Sequence, residues 1–341
     1  MWRPKPALLL YAVVLVLAVI TAPASGQAVL RLGVVASVSD AGFFVAQEKR
    51  YFAEEGLAVE FIPFQTAALM VAPLGVGQLD AGGGAVSAGL FNALARGIDL
   101  RIVADKGTIR TGQSYEGLVI RKDLVDGGRY RGPADLRGLR IALPGRGISP
   151  QVTLWLFARQ GNLNMEDIQL VIMPFADMPV AMGNRAIDGA ILIEPFKTLA
   201  VEEKVGVLVD TADKVYPDHQ VAVVLYSPAM RREKVDLGRK FMLAYLRAVR
   251  DYNDAFGKKQ AQKRQDVIAA FAKHTPVKDP SLYEKMVMPY LNPNGAVNRV
   301  SLRFDQDWYA QQGFVQQKVN LSLVVDDRFV LHALEKLGRY Q

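Results

Sequence analysis

The sequence predicts an α/β protein of two lobes with a helical carboxyl-terminal region, and three observations carry that expectation. First, one pattern occurs twice. Pro63-Phe64-Gln65-Thr66 leads through an apolar stretch to Gly77-Gln78-Leu79-Asp80-Ala81-Gly82, and Pro174-Phe175-Ala176-Asp177 leads likewise to Asn184-Arg185-Ala186-Ile187-Asp188-Gly189-Ala190. Each copy reads as strand end, polar turn, short helix and an Asp-small pair opening the next strand. Second, short apolar runs alternate with helical stretches over the first two thirds of the chain. Third, the remainder reads as successive amphipathic helices.

In chain order, strands are expected over Val29–Val35, Ala58–Phe64, Leu100–Ala104, Gly117–Arg121, Arg140–Leu143, Gln169–Met173, Ala190–Ile193 and Val221–Tyr226. Helices are expected over Ala41–Glu54 (ending before Gly56), Ala134–Gly138 and Pro150–Gln160 (stopped at Gly161), then over Arg232–Phe256, Gln262–Lys273, Pro280–Tyr290, Asp305–Gln317 and Asp327–Leu337. Pro73 falls within the helix expected after Thr66. There it removes a hydrogen bond at about 3 kcal/mol unless the helix restarts, so a break is expected near Ala72.

The 341 residues suffice for about two domains at roughly 150 residues each. Half are hydrophobic and 22% are charged, an ordinary globular balance. The net charge of +7 is spread along the chain without a Lys/Arg run, so no nucleic-acid partner is expected. At the amino terminus, Arg3 and Lys5 precede an uncharged run from Ala7 to Ala22 and then Ala24-Ser25-Gly26, the charged, apolar and cleavage regions of a secretory signal. The run is short for a spanning helix, which needs about 20 residues. The exported chain is expected to begin between Ser25 and Ala28 and, without Arg3 and Lys5, to carry a charge of +5. No Cys is present, so there are neither disulfides nor the lipid-bearing Cys of a lipoprotein.

Catalytic constellations are hard to assemble. The histidines, His219, His274 and His332, are scattered. There is no Cys nucleophile, H-E-x-x-H site, nucleophile elbow or phosphate-binding glycine fingerprint. No catalytic residue, metal or cofactor is expected. In open α/β sheets ligands sit beyond the carboxyl ends of strands, so binding is sought in loops.

Phe43-Phe44-Val45-Ala46-Gln47-Glu48 with Tyr51-Phe52-Ala53-Glu54-Glu55-Gly56-Leu57, then Gly77-Gln78-Leu79-Asp80-Ala81-Gly82, Ala95-Arg96-Gly97, Asp135-Leu136-Arg137-Gly138-Leu139-Arg140 and Glu194-Pro195-Phe196 carry a resemblance. In this order they are similar to the nitrate/sulfonate/taurine-type substrate-binding proteins of bacterial ABC importers, a group that includes binders of thiamine-pyrimidine precursors. The resemblance spans about Leu30 to Ala200 and, more loosely, the rest. It implies a type II periplasmic binding protein fold: two α/β lobes joined by a two-crossing hinge, with a helical C-terminal region. The corresponding division is a signal peptide over residues 1–26, a first lobe over 27–117, a second lobe over 118–221, and a return to the first lobe over 222–341. The partners implied are a small-molecule solute and an ABC permease and ATPase complex in the inner membrane, with the protein a periplasmic monomer.

Several loops then face a cleft. Ser37 and Phe43 flank the first helix, where Asp40 is a candidate cap and Phe43 can stack on a ligand. Gln65 and Thr66 end the second strand, Gln65 as a donor and Thr66 as a cap. Gly84, Ala85 and Ser87 lie in a glycine-rich segment read as a turn from strand to helix, allowing close backbone approach. Ser149 and Gln151 open a helix behind Pro150, with Ser149 as its expected cap. Arg146, and Arg110 near the first crossing, can pair with an anion, which favours a sulfonate or carboxylate solute. Tyr115 can stack or donate. Glu194 either accepts a bond from a ligand or holds a neighbouring N–H. An aromatic residue commonly precedes this Glu-Pro pair in the family, and here Ile193 stands there. The competing reading is an enzyme akin to the pyrimidine synthases of the same wider fold, or a binder of amine-bearing pyrimidines; the lack of Cys and the export signal weigh against the synthase.

Overall fold

In a computed structural model, residues 29–341 are described; the signal segment expected over residues 1–26 lies outside them. Ten strands form two five-stranded sheets. They are β1 (Val29–Val34), β2 (Ala58–Pro63), β3 (Ala81–Ala85), β4 (Arg101–Thr108), β5 (Glu116–Arg121), β6 (Arg140–Leu143), β7 (Gln169–Ile172), β8 (Gly189–Ile193), β9 (Gly206–Thr211) and β10 (Gln220–Tyr226). The sheet orders are β2-β1-β3-β10-β4 and β7-β6-β8-β5-β9. Within each, four strands share one direction and the fourth in order runs against them: β10 lies between β3 and β4 with Val223 opposite Gly84, and β5 lies between β8 and β9 with Leu118 opposite Ile191. The chain therefore builds one topology twice, passing between the sheets through residues 109–115 and again through 212–219.

The repeated Asp residues explain the repeated motif. The Asp80 carboxylate accepts from the Arg31 N–H at 2.9 Å while the Asp80 N–H donates to the Arg31 carbonyl at 2.9 Å. Asp188 makes the same pair of bonds with Arg140, at 2.9 and 2.8 Å. Each Asp thus ties the entry of the central strand of its sheet, β3 or β8, to its parallel neighbour, β1 or β6. Lys234 lies 2.8 Å from Asp80, and Arg121 lies 2.8 Å from Asp188. Burial pushes the Asp188 carboxyl up, but hydrogen bonds from Arg140 and the charges of Arg140 and Arg121 outweigh it and leave the group below the ordinary carboxylate range.

The glycine-rich segment expected as a turn is strand β3 itself. Its glycines make room for neighbours: a Cβ on Gly83 would lie 2.4 Å from Lys106 Cε, and one on Gly84 would lie 2.3 Å from Leu225 Cδ1. Strand β4 runs past Ala104 to Thr108, and β9 escaped the sequence reading. The helix expected over Ala41–Glu54 is two, Ala41–Glu48 and Tyr51–Glu54, because Arg50 takes a left-handed φ of 62°. The restart before Pro73 comes at Val71, where a 3-10 turn over Ala67–Met70 gives way to a helix over Val71–Gly75, so the proline sits in a first turn.

The carboxyl-terminal third packs helices onto the first sheet. The longest, Val235–Phe256, buries Phe241, Tyr245, Val249 and Tyr252. Phe43 packs on Phe241 and Tyr245 with ring centroids 6.0 and 5.2 Å apart. The helix expected over Pro280–Tyr290 stops at Tyr283, and the next runs over Arg299–Gln311 rather than Asp305–Gln317. Asn298 sets its start by accepting from the N–H groups of Val300 and Ser301. No helix among the described residues is long and apolar enough to cross a membrane.

Candidate binding site between the lobes

Loops and strand ends from both sheets, together with Tyr115 of the first crossing, line a cavity of about 50 Å³. Most of its lining is apolar, including Val35, Ala67, Pro144, Ile148, Phe175 and Ile193. Its polar lining consists of Ser37, Ser39, Thr66, Lys106, Tyr115 and Ser149. Lys106 is the one charged side chain among them and is 1% exposed. It projects from β4 across the space left by Gly83, donates to Ser39 Oγ at 2.8 Å and lies 2.8 Å from Asp40 Oδ1. Asp40 is fully buried, and its Oδ2 accepts from the N–H groups of Val35 and Ser37 at 3.1 and 3.2 Å. Oδ1 makes no hydrogen bond of good angle, so the Lys106 charge is what balances it. Ser37 and Ser39 share a 2.8 Å hydrogen bond. Burial, reinforced by the charges of Glu116, Asp105 and Asp40, holds the Tyr115 phenol well above its ordinary pKa and therefore neutral.

The lobes also bond directly to each other. After β3 the Ala88 N–H donates to the Gly147 carbonyl at 2.7 Å, and the Ser149 N–H donates to the Val86 carbonyl at 3.2 Å, a two-bond bridge between the loops that open the helices Ala88–Ala95 and Ser149–Gln160. The left-handed Gly147 (φ 63°) allows this approach, since a Cβ there would lie 3.0 Å from Ala88 Cβ. Trp155 of the second lobe meets Trp308 of the helix Arg299–Gln311, centroids 5.7 Å apart. That helix also braces the second crossing. His219 and Asp305, both fully buried, bond at 3.1 Å, Tyr216 donates to Asp305 at 3.0 Å and stacks on His219, and the Gln220 N–H donates to Ser301 at 2.8 Å.

Of the residues singled out from the sequence, Ser37, Thr66, Ala85, Tyr115 and Ser149 line the cavity. Thr66 caps its helix, as expected, by accepting from the Ala68 N–H. Ser149 is not the cap of its helix: it begins the helix after Ile148, and its hydroxyl donates to the Val221 carbonyl at 3.3 Å. The structure places the others elsewhere. Phe43 is core, and Gln65 lies in an adjoining groove with Pro174 and Asp177. Gly84 is inside β3, while Ser87 caps the helix Ala88–Ala95 by accepting from Leu90 N–H at 3.2 Å. Gln151 accepts from the Gly147 N–H at 2.7 Å, which shapes the bridging loop. Arg110 is exposed and lies 3.5 Å over the Tyr290 ring; Arg146 is exposed. Glu194 is buried and holds Lys197, at 3.1 Å, and the Thr198 N–H, at 3.0 Å. Lys106 and Ser39 were missed. Asp105-Lys106 following the apolar Ile102-Val103-Ala104 in one strand was the available signal, because two adjacent charges there must point to opposite faces and both be buried.

Two α/β sheets of matching order, crossed twice by the chain and closed over an interlobe cavity, define the periplasmic-binding-protein fold. The chain belongs to the NMT1-like family, whose model matches residues 24–272. No curated protein sequence matches it. Among solved structures it is similar to the alkanesulfonate-binding protein SsuA of Xanthomonas axonopodis pv. citri bound to MOPS (19% identity, 88% of this chain and 98% of that one, TM-score 0.71). It is also similar to the ligand-binding component of an ABC-type import system from Staphylococcus aureus (15%, 90% and 99%, TM-score 0.74). A third is the periplasmic nitrate-binding protein NrtA of Synechocystis PCC 6803 (15%, 91% and 89%, TM-score 0.72). At these identities the likeness shows the fold.

Proposed function

We propose that this protein is the exported solute-binding component of an ABC importer, which captures a small organic solute between its lobes in the periplasm and delivers it to a membrane permease. The observation that carries this reading is the cavity itself, lined from both sheets and by Tyr115 of the first crossing, with Ser37, Ser39, Lys106 and Tyr115 close together and a mostly apolar lining otherwise. Solute touching both lobes favours the closed arrangement because it binds that arrangement better. The binding residues in this reading are Ser37, Ser39, Thr66, Lys106, Tyr115 and Ser149. The buried charged groups nearby, Asp40, Glu194 and Lys197, are engaged within the chain, which supports binding without turnover.

The test is calorimetric titration of the exported protein against a periplasmic solute library, with each solute recovered and examined by NMR. Saturable 1:1 binding of a solute recovered unchanged is the expected result. Conversion of the solute would favour the enzymatic alternative, and a library without a saturating member would overturn the reading.

A further inference from the structure

The cavity's electrostatics narrow the solute class, on the reading that the cavity is the solute site. Lys106 is already paired with Asp40 at 2.8 Å, both essentially inaccessible, so the polar end presents a neutral ion pair rather than a free cation. Neither oxygen of Asp40 is left for a cationic solute, since Oδ2 holds the Val35 and Ser37 N–H groups and Oδ1 faces Lys106. The helix N-termini at the cleft offer little to an anion: the Ala88 and Ser149 N–H groups are spent on the interlobe bridge, Leu90 N–H on Ser87, and Pro150 has none. Arg110 and Arg146 are not among the lining residues.

What remains is a set of donors. An ammonium has three N–H groups; Lys106 gives one to Ser39 and sets its charge 2.8 Å from Asp40 Oδ1, which leaves at least one N–H for the cavity. Ser37 and Ser39 share one hydrogen bond, which uses one of their two hydroxyl protons, so the pair keeps one proton for the cavity. Tyr115, 1% exposed and neutral, turns a hydroxyl without a partner among the described residues toward the same end. Thr66 uses an oxygen lone pair for the Ala68 N–H and keeps its proton.

We infer that the solute is electrically neutral, with hydrogen-bond acceptors such as amide or ring carbonyl oxygens or ring nitrogens at one end and an apolar body at the other. Those acceptors meet Lys106, the pair of Ser37 and Ser39, and Tyr115, and the body fills the space between Ile148, Phe175 and Ile193. A monoanion or monocation of equal size brings one uncompensated charge into this lining, which weakens it by roughly a hundredfold or more.

The test uses two size-matched sets, butyramide, butyrate, propanesulfonate and butylamine, and benzamide, benzoate, benzenesulfonate and benzylamine, titrated into the mature protein at pH 7. The amide should bind tightest in at least one set, Tyr115→Phe should weaken it by roughly two- to tenfold, and Asp40→Asn, by releasing Lys106 from its partner, should move the preference toward the carboxylate. Tightest binding of a carboxylate, sulfonate or amine by the wild-type protein would overturn the inference and leave the binder reading intact. Binding of no member of either set would overturn both.

Discussion

Substituting Asp40 probes the centre of the cavity wall. Its carboxylate and the Lys106 ammonium lie 2.8 Å apart and are essentially inaccessible to water. Asp40→Asn retains an amide oxygen for the N–H groups of Val35 and Ser37 but leaves Lys106 as a buried cation whose only side-chain acceptor is Ser39. Breaking a buried pair from one side costs about 3–5 kcal/mol. At an unfolding entropy of ~2.1 cal/mol/K per residue, that is a loss of roughly 4–7 °C in Tm for a chain of this length. Lys106→Met leaves Asp40 with its two backbone donors, so it should cost less, about 2 kcal/mol. The double variant restores neutrality in nearly the same volume and should fall short of the summed losses by about 2 kcal/mol. Urea unfolding of the three variants measures each term. Asp40→Asn within about 1 kcal/mol of wild type, or strict additivity in the double variant, would refute the view that the two charges depend on each other.

Further outcomes follow from neighbouring residues. Burial raises the Glu116 pKa above its ordinary value, with His219, the Thr153 hydrogen bond and Lys197 opposing and Asp305 reinforcing it. The folded state therefore favours the neutral form, and the stability this contributes is complete below the ordinary glutamate pKa of about 4.3 and is lost as pH rises through the folded value. Glu116→Gln stays neutral, so its Tm relative to wild type should rise between pH 5 and pH 8; a constant difference contradicts this. Gly84→Val should destabilise by about 1–3 kcal/mol, since its Cβ would meet Leu225 Cδ1 at 2.3 Å, and equilibrium unfolding will show whether it does. Arg146→Ala, at an exposed position, should leave stability within about 0.5 kcal/mol and solute affinity within about twofold by titration.

The architecture was legible wherever its signal was local. Strands such as Arg140–Leu143, the helix from the Ser149-Pro150 pair to Gly161 and the twice-used Asp-small motif all declare themselves within a few residues. Arg50 did not, because its left-handed turn interrupts a run whose apolar spacing is helical on both sides. Glycines 82–84 looked like a turn because glycine's freedom of conformation is visible in sequence, whereas the side chains of Lys106 and Leu225 that demand their smallness come from distant strands. The site suffered most from this. Glu194 and Arg146 drew notice as charges near strand ends, but the partners that occupy or exclude them, Lys197, Thr198 and open solvent, are tertiary facts. Lys106 became significant only when the fold set it against Asp40, 66 residues earlier in the chain.

The bridge between the Val86–Ala88 and Gly147–Ser149 loops bears on how fast a solute is taken up. Parting the lobes breaks both hydrogen bonds, at 2.7 and 3.2 Å, and the Trp155–Trp308 contact, and a solute admitted only by that opening finds the closed surface unproductive. The observed rate should then stop rising with solute concentration and level off at the opening rate of the lobes, where a preformed site would keep rising linearly. The same two bonds re-form behind a captured solute, so slow entry and long residence have one cause.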